Sequence, residues 1–249
     1  MNIVQITDLH LSKDKGNELY NINTYNSAKI IIEYISKCKK NVDYLIITGD
    51  ISEDSTMQSY SHLLDLLKPI KSDIYLMAGN HDSYEQIKLC CSRSTVKSDL
   101  FFSNDAWVVF MFNTKKEHSP NGFLKRDEIE LFKKLLYDYP NKNFMVFLHH
   151  HPVLIGSESM DTMIIENSQL LIDLIKSHNN IKGVSWGHIH NVFETKINNA
   201  KLFSSPSTCF QSQPKSKKFT IDFNSHPGYR IINLNEKGVI ETSVVRVKI

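Results

Sequence analysis

The sequence is poor in the residues that mark the more specialised classes of protein. Only four cysteines occur, Cys38, Cys90, Cys91 and Cys209, with no C-x-x-C pair and no framework spacing. That excludes a disulfide scaffold and a thiolate zinc site. Charge of one sign is also lacking: 29 basic against 27 acidic residues leave +2, which gives no case for a polyanion-binding surface and disfavours a nuclease. The one basic cluster, Lys215-Ser216-Lys217-Lys218, reads as a solvated loop. No apolar run approaches the ~20 residues of a membrane helix. Met1 leads at once into a strand, without the basic and apolar regions of a signal peptide. Linkers, repeats and low-complexity tracts are absent too. The expectation is a soluble, cytoplasmic, reduced protein with no membrane or nucleic-acid partner, folded as a single domain over 1–249.

What is present is an alternation of strands and helices. Apolar runs at Ile3–Thr7, Tyr44–Thr48, Ile74–Ala78, Phe144–Leu148 and Gly183–Trp186 are too short for buried helices and read as buried strands. Helical spacing predicts helices from about Asn23 to Lys39, Thr56 to Lys68, Tyr84 to Cys91, Asp127 to Tyr137 and Gln169 to Ser177. A further strand is predicted at Ala106–Asn113, and loops at Leu11–Tyr20 and up to about Met163. From about 192 the pattern turns β-rich, with hairpins at Val192–Phe203 and Tyr229–Val247. The fold class is α/β, with parallel strands from right-handed crossovers. The arrangement expected is two facing mixed sheets with helices outside.

Each of the five apolar runs ends in residues that bind metals. These are Asp8-Leu9-His10, Gly49-Asp50, Gly79-Asn80-His81-Asp82, His149-His150-His151-Pro152 and Gly187-His188-Ile189-His190. Seven of the eleven histidines lie there. Parallel strands bring their carboxyl ends to one edge, where open α/β sheets bind ligands. Carboxylate and amide oxygens mixed with imidazoles suit Mn, Fe or Zn. In an extended chain, Asp8 and His10 point to one side and can chelate one ion, and His188 and His190 share that spacing. A lone core histidine is more often hydrogen-bonded structure than ligand, but five such segments in one chain reverse that balance. Asp8, His10, Asp50, Asn80, one of His149–His151, His188 and His190 are too many ligands for one ion that keeps an open position. Two ions about 3.5–4 Å apart, bridged by a carboxylate, accommodate them. Asp50, at a tight turn after Gly49, is the natural bridge.

This set of motifs resembles the calcineurin-like metallophosphoesterase superfamily, with all five blocks in the family's order over residues 8 to 190. The resemblance implies a four-layer α/β/β/α sandwich and two divalent cations, Fe²⁺ or Mn²⁺ foremost, with Zn²⁺ the alternative. By position, Asp8, His10, Asp50 and His190 would hold one ion, and Asp50, Asn80, His149 and His188 the other. His149 fits the family register, and His150 is the runner-up. His10, Asp50, Asn80, His81, His149 and His190 would surround the substrate phosphate. His81 would be the proton donor or charge stabiliser, with Asp82 orienting it. A metal-bridging hydroxide would attack phosphorus in line.

Further segments are similar to the bacterial class III 3′,5′-cyclic AMP phosphodiesterases. They are Gln5–Leu11, Leu148–Pro152, Pro206-Ser207-Thr208-Cys209-Phe210-Gln211, Phe219–Phe223 and Pro227-Gly228-Tyr229-Arg230. The pattern departs at Asn113, where an aspartate is expected, and in the loop from Lys115 to Phe123. The substrate implied is a small cyclic nucleotide, 3′,5′-cyclic AMP. The rivals are a broader phosphodiesterase or nucleotidase acting on 2′,3′-cyclic nucleotides or other phosphoesters, and a non-catalytic scaffold that keeps the fold. Pro206–Gln211 reads equally as an inter-strand loop or a base or ribose contact. Monomer and homodimer both remain open.

Overall fold

A computed structural model of the chain describes residues 1–37 and 42–249. From the N-terminus the elements are β1 (Asn2–Ile6), the two-residue strands β2 (Glu18–Leu19) and β3 (Ile22–Asn23), α1 (Thr24–Ser36), β4 (Tyr44–Thr48), α2 (Met57–Leu67), β5 (Asp73–Met77) and α3 (Tyr84–Ser92). Then come β6 (Phe101–Ser103), β7 (Trp107–Met111), α4 (Arg126–Asp138), β8 (Asn143–Phe147), a 3₁₀ turn at Met160–Met163 and α5 (Gln169–Ser177). The chain closes with β9 (Ile181–Trp186), β10 (Glu194–Ile197), β11 (Ala200–Ser204), β12 (Gly228–Leu234) and β13 (Ile240–Arg246).

Local chemistry sets the helix starts. Asn23, Thr56 and Ser83 cap α1, α2 and α3 by accepting the backbone N–H of Asn26, Ser59 and Gln86. Pro69 follows the end of α2 and bars its continuation. The predicted extension of the first helix through Cys38 and Lys39, with Lys40 beyond it, lies outside the described residues.

Two mixed sheets form, in strand order β13-β12-β1-β4-β5 and β10-β11-β9-β8-β7-β6. In the first, β1, β4 and β5 run parallel and β12 and β13 pair antiparallel. In the second, β7, β8, β9 and β11 run parallel, with antiparallel edge strands β6 and β10.

Strand alternation explains why two sheets stack. Because successive side chains point to opposite faces, Leu45 and Ile47 pack with the core under α1, α2 and α3, while Ile46 faces the other sheet. In the second sheet, Val108 and Phe110 pack under α4 and α5, while Trp107, Val109 and Met111 face inward. Three apolar layers thus separate helices, sheet, sheet and helices. That is the α/β/β/α sandwich expected. The elements missed were β6, the 3₁₀ turn and the β2–β3 pair, which falls in the stretch taken for a loop.

A polar seam joins the two sheets near one end. Gln5 Nε2 donates to Thr48 Oγ1 at 3.0 Å and to the Trp186 carbonyl at 3.2 Å. Ser185 Oγ donates back to Gln5 Oε1 at 2.5 Å. Three metal-type segments leave β1, β4 and β5, and two leave β8 and β9, so the candidate site is assembled from both sheets.

Candidate metal centre

The segments leaving β1 and β4 are laced together by backbone bonds. Asp8 N–H donates to Gly49 O at 3.0 Å, His10 N–H to Asp50 O at 2.9 Å and Leu11 N–H to Ile51 O at 2.9 Å. The chain is not extended there. Asp8 (φ 54), His10 (φ 48), Asp50 (φ 49), His188 (φ 65) and His190 (φ 49) all adopt the left-handed region that non-glycine residues avoid. The expected one-sided chelation in an extended chain is therefore corrected: left-handed turns aim these side chains. Backbone strain of this kind persists where surrounding structure over-determines it, commonly at functional sites. Glycines permit the close approach. Gly49 has φ 96, and a Cβ there would lie 2.5 Å from His149 Nδ1. A Cβ at Gly187 would collide with Thr7 Oγ1.

Around these turns the predicted residues converge. Asp8, His10 and His190 form one buried cluster, with one donor atom from each within 4.8 Å of the others. Asp8, Asp50 and His149 form another, and His149, His150 and His188 a third. Asp50 Oδ2 lies 3.3 Å from His149 Nε2 and 3.8 Å from His10 Nε2, which places Asp50 between the two sides. Asn80 Oδ1 is 3.1 Å from His149 Nε2. His188 and His190, two apart, go to different clusters.

The donor set fits a cation. His149 Nδ1 donates to the Thr48 carbonyl at 2.7 Å, His190 Nδ1 to the Phe210 carbonyl at 3.0 Å and His10 Nδ1 to the Glu53 carboxylate at 2.7 Å. Each partner only accepts, so in the neutral rings the proton sits on Nδ1 and Nε2 carries a lone pair. Those lone pairs face one another: His10 Nε2 and His190 Nε2 are 3.2 Å apart, and Asp8 Oδ1 is 3.4 Å from His190 Nε2. Buried acceptors turned on acceptors are stabilised by a positive charge between them. Burial by itself would lower His149 and His10, but the Asp50 carboxylate raises His149 to about 9, and the bond to Glu53, followed by the Asp50 and Asp8 carboxylates, raises His10. Burial holds His190 down at about 4 and His188 well below its usual range. His188 Nε2 is buried without a hydrogen-bond partner among the described residues.

Of the three consecutive histidines, the structure turns His149 toward Asp50 and Asn80. His150 has its Nδ1 2.8 Å from Thr114 Oγ1, while its Nε2 stays with His149 and His188, buried without a hydrogen-bond partner among the described residues. His151 is buried, with Nε2 3.6 Å from Asp161 Oδ1.

His81 is exposed at the mouth, its backbone N–H donating to Asp50 Oδ1 at 3.0 Å. Asp82, expected to orient it, has other partners. Its carboxylate accepts from the N–H of Gly79 at 2.8 Å, Ser52 at 3.0 Å and Ile51 at 3.1 Å, and from the Tyr60 hydroxyl at 2.9 Å. Asp82 ties the β5 exit to the β4 exit. The carboxylate that reaches His81 is Glu53, 3.3 Å from Nδ1. Sequence reasoning missed Glu53, whose place three residues after Asp50 is no signal by itself. Pro206–Gln211 is more than an inter-strand loop. Ser207 Oγ and Cys209 Sγ donate to the Asp8 carbonyl at 2.9 and 3.1 Å, Thr208 N–H donates to the Thr7 carbonyl at 3.0 Å, and Phe210 lies over His190.

Set beside known proteins, residues 1–192 match the profile of the calcineurin-like phosphoesterases. The chain belongs to that family. Its members are metal-dependent hydrolases of phosphate esters, and the buried His/Asp clusters are compatible with that chemistry. The chain is similar to the 3′,5′-cyclic adenosine monophosphate phosphodiesterase CpdA of Pseudomonas aeruginosa, 33% identical over 98% of this chain and 89% of that one. It is also 30% identical to a 3′,5′-cyclic-nucleotide phosphodiesterase of Nostoc, over 99% of this chain and 92% of that one. Among solved structures, a dimetal phosphatase from Danio rerio superposes with a TM-score of 0.69 over 98% of both chains. At 13% identity that likeness is one of fold alone.

Proposed function

We propose that the chain is a 3′,5′-cyclic-nucleotide phosphodiesterase that hydrolyses cyclic AMP to 5′-AMP with two divalent cations. The observation that carries this is the convergence of the buried Nε2 atoms of His10, His149 and His190 on one another and on Asp8 and Asp50. Relatives named as cyclic AMP or cyclic-nucleotide phosphodiesterases, aligned over nearly the whole chain, support the substrate class. We assign Asp8, His10, Asp50 and His190 to one ion and Asp50, Asn80, His149 and His188 to the other, with Asp50 shared. Fe²⁺ or Mn²⁺ suits this mixed nitrogen and oxygen set, with Zn²⁺ the alternative. Bound cations of this kind neutralise charge on phosphoryl oxygens and lower the pKa of water.

The chain's own residues perform the remaining work. Glu53, Thr48 and Phe210 fix three imidazoles through Nδ1 and keep Nε2 aimed inward. His10, Asp50, Asn80, His81, His149 and His190 surround the phosphate. In hydrolysis a water oxygen adds to phosphorus, the bond to the ribose 3′-oxygen breaks, and a proton reaches that oxygen. His81, lining the cavity with Nδ1 turned to Glu53, is the group we assign to that proton transfer. We take residues 1–249 as one domain and place it in the cytoplasm, where the free thiols of Cys90, Cys91 and Cys209 stay reduced.

Metal analysis tests this reading. The purified protein reconstituted with Mn²⁺ is expected to hold two ions per chain, and Asp50→Asn to lose metal together with more than about 100-fold in kcat. No bound metal and no activity with Mn²⁺ would favour the scaffold reading instead.

A further inference from the structure

The cavity above the metal centre measures about 320 Å³ and is lined by His10, Asp50, Asn80 and His81. Three aromatic rings also line it, those of Tyr20, Phe210 and Phe219. Phe210 lies over His190 with ring centres 4.4 Å apart and planes 23° apart, and Tyr20 meets Phe210 edge-on at 4.9 Å. Phe219 stands 6.0 Å from Tyr20 and 6.3 Å from Phe210. Phe210 is buried and accounted for by its imidazole contacts. Tyr20 and Phe219 are not core residues, with 51% and 36% of their surfaces exposed.

Tyr20 is held there at a conformational cost. It and Asn21 are the two turn residues between β2 and β3, with φ of 53° and 63°. Two left-handed residues in a two-residue hairpin define a turn that favours asparagine or glycine at both positions. Asparagine satisfies it at 21, whereas an aromatic ring at 20 does not. Strained backbone is found at ligand clamps, where the side chain displayed is the reason for the strain. A cavity of this volume suits a mononucleotide. Partly exposed aromatic rings lining such a cavity suit a flat base, since every base has a π-face to stack.

We propose that Tyr20 and Phe219 form the subsite for the purine base of the nucleotide whose phosphate lies at the metal centre. This rests on the phosphodiesterase reading and adds its specificity determinants. The two residues come from separate segments, the β2–β3 turn and the loop before β12, and both line the cavity that reaches the metal centre. They bind the part of the substrate that does not react, so they act on KM and leave the chemistry to the residues beneath.

Steady-state kinetics on the metal-loaded protein tests the subsite. Tyr20→Asn removes the ring while accepting the left-handed turn, and Phe219→Ala removes the second ring. Each is expected to raise KM for cyclic AMP roughly tenfold, the scale of losing one stacking partner. The expected kcat stays within about threefold, the inhibition constant of inorganic phosphate stays unchanged, and Tyr20→Phe restores KM. An unchanged KM in the double variant overturns the proposal. A parallel rise in KM and in the phosphate constant also overturns it, because the residues would then be holding the metal centre itself. Should the wild type not open the cyclic AMP ring, the phosphodiesterase reading fails separately. The subsite is then read from inhibition of aryl phosphodiester hydrolysis. Tighter inhibition by 5′-AMP than by phosphate, lost in the variants, upholds it, and equal constants overturn it.

Discussion

The Glu53 carboxylate oxygen that accepts from His10 Nδ1 at 2.7 Å also stands 3.3 Å from His81 Nδ1. One side chain thus orients an imidazole of the buried cluster and the imidazole at the mouth. Burial would raise the Glu53 carboxyl, but the bond to His10 and the two rings hold it below its usual value. Glu53→Gln keeps the shape and removes the charge. It is expected to lower kcat by roughly 10–100-fold and to weaken metal affinity, as losing the partner of a metal-binding histidine does. Metal titration beside kcat checks it, and a variant equal to wild type in both would contradict the assignment.

His81 is the exposed member of the site, so its removal leaves the buried donor set intact. His81→Ala is expected to lower kcat by about 10²–10⁴-fold, the range for a lost general acid. Metal content measured on the same preparation should be unchanged. An unaltered rate would remove His81 from the mechanism.

Asp82 accepts four hydrogen bonds in a fully buried setting, three from backbone and one from Tyr60. Asp82→Asn turns an amide N–H₂ against at least one of those donors. The expected cost is about 2–4 kcal/mol of stability, read as a fall in Tm. A catalytic loss at unchanged Tm would instead return Asp82 to the role of orienting His81.

The first turn of α4 supplies a pH dependence through Glu128. Burial pushes the Glu128 carboxyl up to about 7, although the Asn113 N–H donating to it at 2.9 Å opposes the shift. Its folded pKa thus exceeds its unfolded value, so between about 4.5 and 7 the folded state binds more protons. Stability from this group is present below the lower limit and is lost as pH rises through the upper one. Glu128→Gln is therefore expected to raise stability at pH 8 by about 1–3 kcal/mol and to change it little at pH 4.5. Thermal melts at the two pH values decide it, and a destabilised variant at pH 8 would contradict the sign.

Much of this was legible in the sequence because strand and helix periods and metal-type residues are local signals. The apolar runs before Asp8, Asp50, Asn80, His149 and His188 became strands within a residue or two of their predicted bounds. The division of those runs between two sheets was not readable, because Ile46 and Met145 come to share the layer between the sheets only through long-range stacking. Nor was the β2–β3 hairpin. Its strands have two residues each, and its turn breaks the usual preference by placing a tyrosine at positive φ. Glu53 was missed since a single glutamate carries no pattern until the fold brings it to His10. The partners of Asp82 were misassigned because adjacency to His81 in sequence says nothing about where a buried carboxylate finds its donors.

The most direct measurement is hydrolysis by the Mn²⁺-reconstituted protein of 3′,5′-cyclic AMP beside 2′,3′-cyclic AMP, bis(p-nitrophenyl) phosphate and 5′-AMP. The expected result is a kcat/KM for the 3′,5′ ring above all three others, with 5′-AMP accumulating as the product. Turnover of the aryl or 2′,3′ esters with none of 3′,5′-cyclic AMP would contradict the assigned substrate.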